Sequence, residues 1–275
     1  MKKIITIKNN PSLAGMAEVF HEVVFSAPNG VPLTAEVVLP WIDWESGTDN
    51  RRFPFILFIQ GSGWTFPSPW YQLPQLSALA AKGYVIASIT HRNSLEGNPY
   101  PACIEDVKAA LSFFKSHAVE YAIDTEHIGM WGTSSGANLS MIIAMTEDIP
   151  IKFVVSCFAT TDMPELYLDA NLDSNIRDAF TALSGGNVDE DMAILKKMSP
   201  YYLIEEGKTY PPMFISHGTE DMLIPYIQSE KFYHKLTSCT DTDAIMVAVE
   251  NAPHEGAFFS AELMDMIHEF IQKYI

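Results

Sequence analysis

From residue 53 onward the chain alternates short apolar runs with stretches of helical periodicity, the sequence feature that most narrows its choice of fold. The apolar runs cover residues 53–59, 84–89, 127–131, 152–158, 213–216 and 244–249. Between them lie a helical stretch ending near Lys82, a helix carrying Ile104, Val107, Leu111 and Phe114, an apolar helix over 134–145, and a helix from Pro225. A final helix carries Phe259, Leu263, Met266, Ile267 and Phe270. Strands that take turns with helices predict a mostly parallel sheet covered on both faces. Ahead of this pattern, residues 19–27 and 32–39 read as two strands joined at Asn29-Gly30, an antiparallel hairpin. Residues 41–52 are polar and acidic, as in an exposed loop, and residues 159–210 break the rhythm with Pro164, Gly185-Gly186 and Pro200. We expect one domain over residues 1–275, with 159–210 inserted over the sheet and covering the active site.

Composition bounds the partners. Of 275 residues 48% are hydrophobic, enough for a large core, and the formal net charge of -17 argues against nucleic acid and anionic membrane surfaces. Three cysteines, Cys103, Cys157 and Cys239, suggest neither a disulfide framework nor a zinc site. The first residues hold no apolar run of signal-peptide length, and no run is long enough for a membrane span. A cytoplasmic protein without metal or cofactor is expected, and exposed apolar residues in the insertion would suit a homodimer face.

Gly132-Thr133-Ser134-Ser135-Gly136 matches G-x-S-x-G between the apolar run IGMW and the helical ANLSMIIAM. A serine on a tight strand-to-helix turn is presented to solvent at the strand's end, and the following helix favours developing negative charge. The glycine spacing favours Ser134 over Ser135 as nucleophile. A serine hydroxyl needs a base beside it, and the base needs a carboxylate to orient it. In MFISHGTEDMLIP, Asp221 sits between a strand end and the next helix and ranks first as the acid, with Asp162 behind it. In IMVAVENAPHEGAFF, His254 follows the last strand, where an open sheet places its working groups. His217 is its rival and is expected to shape the turn instead.

Acyl transfer also needs N–H donors for the carbonyl oxygen. Ser135, after the nucleophile, supplies one candidate, and the turn Gln60-Gly61-Ser62-Gly63-Trp64 supplies Ser62 and Gly63. Trp64 and Trp70 are candidate walls of a substrate pocket, although aromatic residues at a helix start are as often core.

The segments QGSGW, THRNSLEGNPYPACIEDVKAAL, DTEHIGMWGTSSGANLS, HGTEDMLIPYIQS and APHEGAFF together resemble the hormone-sensitive-lipase and acetyl-xylan-esterase-like (BD-FAE-like) carboxylesterase branch of the α/β-hydrolases. The resemblance runs from about Val19 to the end of the chain. It implies an eight-stranded α/β-hydrolase sheet, Ser134 as nucleophile, Asp221 as acid, His254 as base, and a helix opened by Pro101 and Asp106 that packs against the site. The chain departs from the branch in two places. Gln60 and Ser62 stand in QGSGW where HGGGW is usual, which leaves Gln60 to brace the loop in another way, and THRN replaces DYRL.

The leading expectation is a serine carboxylesterase for short acyl esters, acetylated sugars among them, with a small-molecule ester as its partner. One alternative is a prolyl-oligopeptidase-like peptidase, whose usual β-propeller 275 residues leave no room for. The other is a hydrolase scaffold that binds a small molecule without catalysis.

Overall fold

In the computed structural model, which describes residues 3–186, 188 and 192–275, the expected alternation appears as strands and helices in sequence. The hairpin strands are β1 (Ala17–Ser26) and β2 (Leu33–Pro40), followed by β3 (Phe53–Ile59), α1 (Leu73–Ala80), β4 (Val85–Ile89) and α2 (Ala102–Ser116). Then come β5 (Ile123–Thr133), α3 (Ser135–Thr146) and β6 (Ile151–Cys157). Four short helices follow, α4 (Met163–Leu168), α5 (Ser174–Leu183), α6 (Ala193–Lys197) and α7 (Pro200–Leu203), within the expected insertion. Residues 187 and 189–191 of that insertion, and the first two of the chain, lie outside the described residues. The chain closes with β7 (Met213–Gly218), α8 (Ile227–Cys239), β8 (Ala244–Val249) and α9 (Ala261–Gln272).

The strands form one eight-stranded sheet in the order β1-β2-β4-β3-β5-β6-β7-β8. Pairing is antiparallel for β1 with β2 and for β2 with β4, and parallel from β4 to β8. The arrangement is that of an α/β-hydrolase sheet. Its period-two alternation sorts side chains into two apolar cores. Phe55, Leu57 and Ile59 face one side, against Val107 and Phe114 of α2, Ile143 of α3 and Phe232 of α8. Ile56 and Phe58 face the other, against Leu76 of α1 and Ile267 and Phe270 of α9. Burial of each such side chain stabilises the fold by about 1.5–3 kcal/mol.

Two details differ from expectation. Strand β5 begins at Ile123, ahead of the run at 127–131. Its first two residues pair with Phe53 and Pro54, and the register then skips to Ile128 opposite Phe55. Asp124 ties down the extra residues by accepting the Glu126 amide and bonding the His127 ring. In α9 the buried stripe is Leu263, Ile267, Phe270 and Ile271; Phe259 lies ahead of the helix and Met266 faces outward. The run of apolar residues is denser than the face the helix buries, so composition alone misplaces two stripe members.

Candidate active site

The strand β5 ends in a tight turn at Ser134, whose backbone lies at φ 52, ψ -122. A non-glycine residue held there stores roughly 1–3 kcal/mol of strain that the surroundings must offset. Part of the offset is visible: the Ser134 N–H donates to the Cys157 carbonyl at 2.9 Å, and the Ser134 carbonyl accepts the Asn138 N–H at 3.0 Å. Gly132 and Gly136 make the turn sterically feasible. A Cβ on Gly132 would collide with the Gly136 backbone, and a Cβ on Gly136 with the Ile59 carbonyl.

Three distant loops meet at this turn. His254 Nε2 lies 3.0 Å from Ser134 Oγ, and His254 Nδ1 donates to Asp221 Oδ2 at 2.6 Å. The Asp221 carboxylate is fully buried, while the His254 ring keeps 13% exposure towards the cleft. Asp221 Oδ1 accepts the Leu223 and Ile224 amides, each at 2.9 Å. Burial pushes this carboxyl up; the hydrogen bonds from His217 and His254, the charge attraction of His254 and the Ile224 amide outweigh it and hold the group well below the usual carboxylate range. Phe158 packs against the His254 ring with centroids 4.6 Å apart.

The rival residues fall elsewhere. Ser135 points its hydroxyl at the neighbouring loop, where it accepts the Ser62 N–H at 2.9 Å. Asp162 caps α4 by accepting the Glu165 N–H. His217 does not face Ser134; its Nε2 lies 3.1 Å from the same Asp221 Oδ2 that takes His254. The helix α2 starts beside Pro101, and its Asp106 receives the Arg92 amide and guanidinium.

The loop after β3 corrects one expected donor. The Ser62 N–H is already engaged by Ser135 Oγ, and the Gly61 N–H by Thr133 Oγ1 at 2.8 Å. Among the described residues the Gly63 and Ser135 N–H groups have no acceptor, and both residues adjoin Ser134 and its cleft. Gln60 braces the far end of this loop: its Oε1 accepts the Ser68 N–H at 2.6 Å.

Both candidate wall residues are also corrected. Trp64 is 1% exposed and belongs to the core, edge-on to Phe180 of α5 with centroids 5.3 Å apart. Trp70 is 61% exposed and lies outside the residues lining the cleft. Alternating prolines at 67 and 69 keep this stretch irregular until α1 begins, so helical spacing does not govern where its aromatics point. The cleft over Ser134 has a volume of about 540 Å³ and is walled by Thr65, Leu95, Ile176, Ala179, Leu223 and Glu255.

Asn138 is a residue the sequence reading missed. Fully buried on α3, it accepts the Trp64 indole N–H and donates to the Thr160 and Met198 carbonyls, tying the helix after Ser134 to the loop on one side and the insertion on the other. Its signal was present: a lone side-chain amide in a mostly apolar helix has to be satisfied by something outside that helix.

A family model described as BD-FAE matches residues 44–236. The chain belongs to the BD-FAE family. Relatives of this family member include a probable carboxylic ester hydrolase, LipM, of Mycobacterium tuberculosis, 27% identical over 73% of this chain and 49% of that protein. The carboxylesterase NlhH of the same organism is 28% identical over 62% of this chain and 57% of its own length. The chain thus spans about half the length of the curated relatives it matches. Among solved structures, a truncated carbohydrate esterase from gut microbiota superposes with a TM-score of 0.76 at 23% identity, covering 95% of this chain and 97% of that one. The esterase Est2 of Thermogutta terrifontis gives 0.72 at 24% identity, covering 96% and 94%. At these identities the structures speak for the shared fold. Among the described residues no helix is long and apolar enough to cross a membrane.

Proposed function

We propose that this chain is a serine carboxylesterase that cleaves short-chain acyl esters through an acyl-enzyme, with acetylated sugars among its substrates. The observation that carries this reading is the unbroken line of hydrogen bonds from Ser134 Oγ through His254 to the buried Asp221, at 3.0 and 2.6 Å. The names of its family relatives, carboxylic ester hydrolase and carboxylesterase, support the same reading.

The ester carbonyl sits over Ser134 with its oxygen towards the Gly63 and Ser135 N–H groups. Ser134 Oγ attacks the carbonyl carbon while His254 Nε2 takes the hydroxyl proton. Asp221 holds the Nδ1 proton and stabilises the imidazolium. His254 then passes the proton to the departing alcohol oxygen as the C–O bond breaks. A water molecule repeats the sequence on the acyl-enzyme and releases the acid. Each oxyanion donor contributes about 3 kcal/mol to the transition state.

The apolar wall of Leu95, Ile176, Ala179 and Leu223 suits a short acyl chain, and Thr65, Asn175 and Glu255 suit a polar alcohol. Residues 159–210 act as an insertion that walls one side of this cleft within a single domain. Three unpaired cysteines fit a reducing, cytoplasmic setting. The test is labelling by a fluorophosphonate together with turnover of p-nitrophenyl acetate. Wild type should be labelled and active; Ser134→Ala should be neither, and retained turnover in that variant would overturn the assignment. A panel of p-nitrophenyl esters of rising chain length, run beside acetylated xylose, tests the substrate class.

A further inference from the structure

The Asp221 carboxylate receives a second histidine. His217 is fully buried at the end of β7, and its Nε2 lies 3.1 Å from Asp221 Oδ2 and 2.9 Å from the Ile224 carbonyl. Two acceptors around one ring nitrogen require that nitrogen to carry the proton. The other face of the ring is engaged as well: Nδ1 lies 2.7 Å from Ser229 Oγ on α8, which leaves the Ser229 hydroxyl to donate to it. The Tyr226 ring stands edge-on to His217 with centroids 5.9 Å apart. The titratable groups facing the ring are therefore Asp221 from the following loop, Tyr226 ahead of α8 and, through the shared oxygen, His254 from the loop after β8.

We propose that His217 is a positioning residue for the hydrolysis: its Nε2–H, locked by Ser229 and the Ile224 carbonyl, holds Asp221 Oδ2 in line with His254 and limits how strongly that oxygen pulls on the His254 proton. The inference rests on the serine-esterase reading of the site. The physical basis is that one carboxylate oxygen serves both imidazoles. A donor on that oxygen draws off part of its negative charge, so the imidazolium of His254 is stabilised less than by a carboxylate without it. The same donor fixes the carboxylate's rotation, and with it the angle at which His254 meets Ser134. A misaligned base loses rate at unchanged substrate binding.

His217→Leu removes the donor, and His217→Gln restores an N–H near the Nε2 position. In His217→Leu, kcat on p-nitrophenyl acetate should fall about ten- to a hundred-fold with KM nearly unchanged. The acidic limb of its kcat/KM profile should move to higher pH. His217→Gln should recover most of the rate and return the limb towards wild type. A folded His217→Leu with wild-type kcat and pH profile overturns the proposal, as does a His217→Gln no better than Leu. Should the Leu variant fail to fold, Ser229→Ala, which unlocks the ring, must lower kcat without changing KM; a wild-type kcat in that variant overturns the proposal too. Fluorophosphonate labelling of wild type separates the two failures. A labelled wild type with an indifferent His217 loses only this inference, whereas an unlabelled wild type loses the serine reading itself.

Discussion

Ser135 accepts the backbone N–H of Ser62 on its side-chain oxygen at 2.9 Å, and so the residue after the proposed nucleophile holds the loop that faces it. Thr133, on the other flank of Ser134, holds the preceding amide of the same loop, that of Gly61, at 2.8 Å. The two hydroxyls clamp consecutive amides and leave the next one, that of Gly63 beside the cleft, without an acceptor among the described residues. Ser135→Ala is therefore expected to lower kcat on p-nitrophenyl acetate about ten-fold with little change in KM. Thr133→Val should do the same. The double variant should lose less than the product of the two, because both act on one loop; strictly multiplicative losses would show that the hydroxyls work independently.

The pH dependence follows from Asp221. Its folded carboxyl lies well below the ordinary range, so the stability it contributes is complete above the unfolded value near 4 and is lost as pH falls towards the folded one. Protonation of Asp221 therefore has no part in activity changes between pH 5 and 8. Activity should fall on acidification across that interval because an imidazole base must be free to accept a proton. In denaturant titrations the stability difference between wild type and Asp221→Asn should shrink as pH falls below about 4. A rate that stays flat across the interval would contradict the role of His254.

The two tryptophans near the loop should behave oppositely. Trp64 is in the core and bonded to Asn138, so Trp64→Ala should cost about 3–5 kcal/mol and lower the melting temperature sharply. Trp70 is exposed, so Trp70→Ala should change stability by less than about 0.5 kcal/mol. It should also leave kcat/KM on p-nitrophenyl acetate at the wild-type value. A large activity loss in the second variant would show that Trp70 reaches the substrate.

The cysteines offer a check on the two cores. Burial pushes the Cys103 thiol up to about 12 and the Cys157 thiol up to about 11, whereas Cys239 is half-buried on α8. Thiolate is the reactive form. Ellman's reagent should therefore titrate one thiol in the native protein and three in denaturant. Rapid modification of Cys157 would mean that the sheet opens beside the Ser134 turn.

Much of the site was legible because its parts carry local signals. The glycines around Ser134 are needed by a turn only a few residues long, and the proposed acid and base, Asp221 and His254, each follow an apolar run of strand length. The pairing of His217 with Asp221 was less so. HGTED places the two residues four apart, but that spacing does not say which way a ring faces at a strand end, and turn-shaping was a reasonable reading of it. The Ser62 N–H was a reasonable donor until the Ser135 hydroxyl met it across 73 residues of chain.

By itself the amino-acid order determined the alternation of strand and helix, the turn at Ser134 and the chemical types that had to meet there. These follow from interactions within a few residues: apolar periodicity, steric room at glycine, and the chemistry a hydroxyl nucleophile demands. Only the tertiary structure decided which loop amides are already engaged, that Trp64 turns into the core, and that Asn138 and His217 bond to the loops around Ser134 and Asp221. Those outcomes depend on hydrogen bonds and contacts between segments far apart in the chain, and a buried polar group takes whichever partner the packed sheet brings within reach.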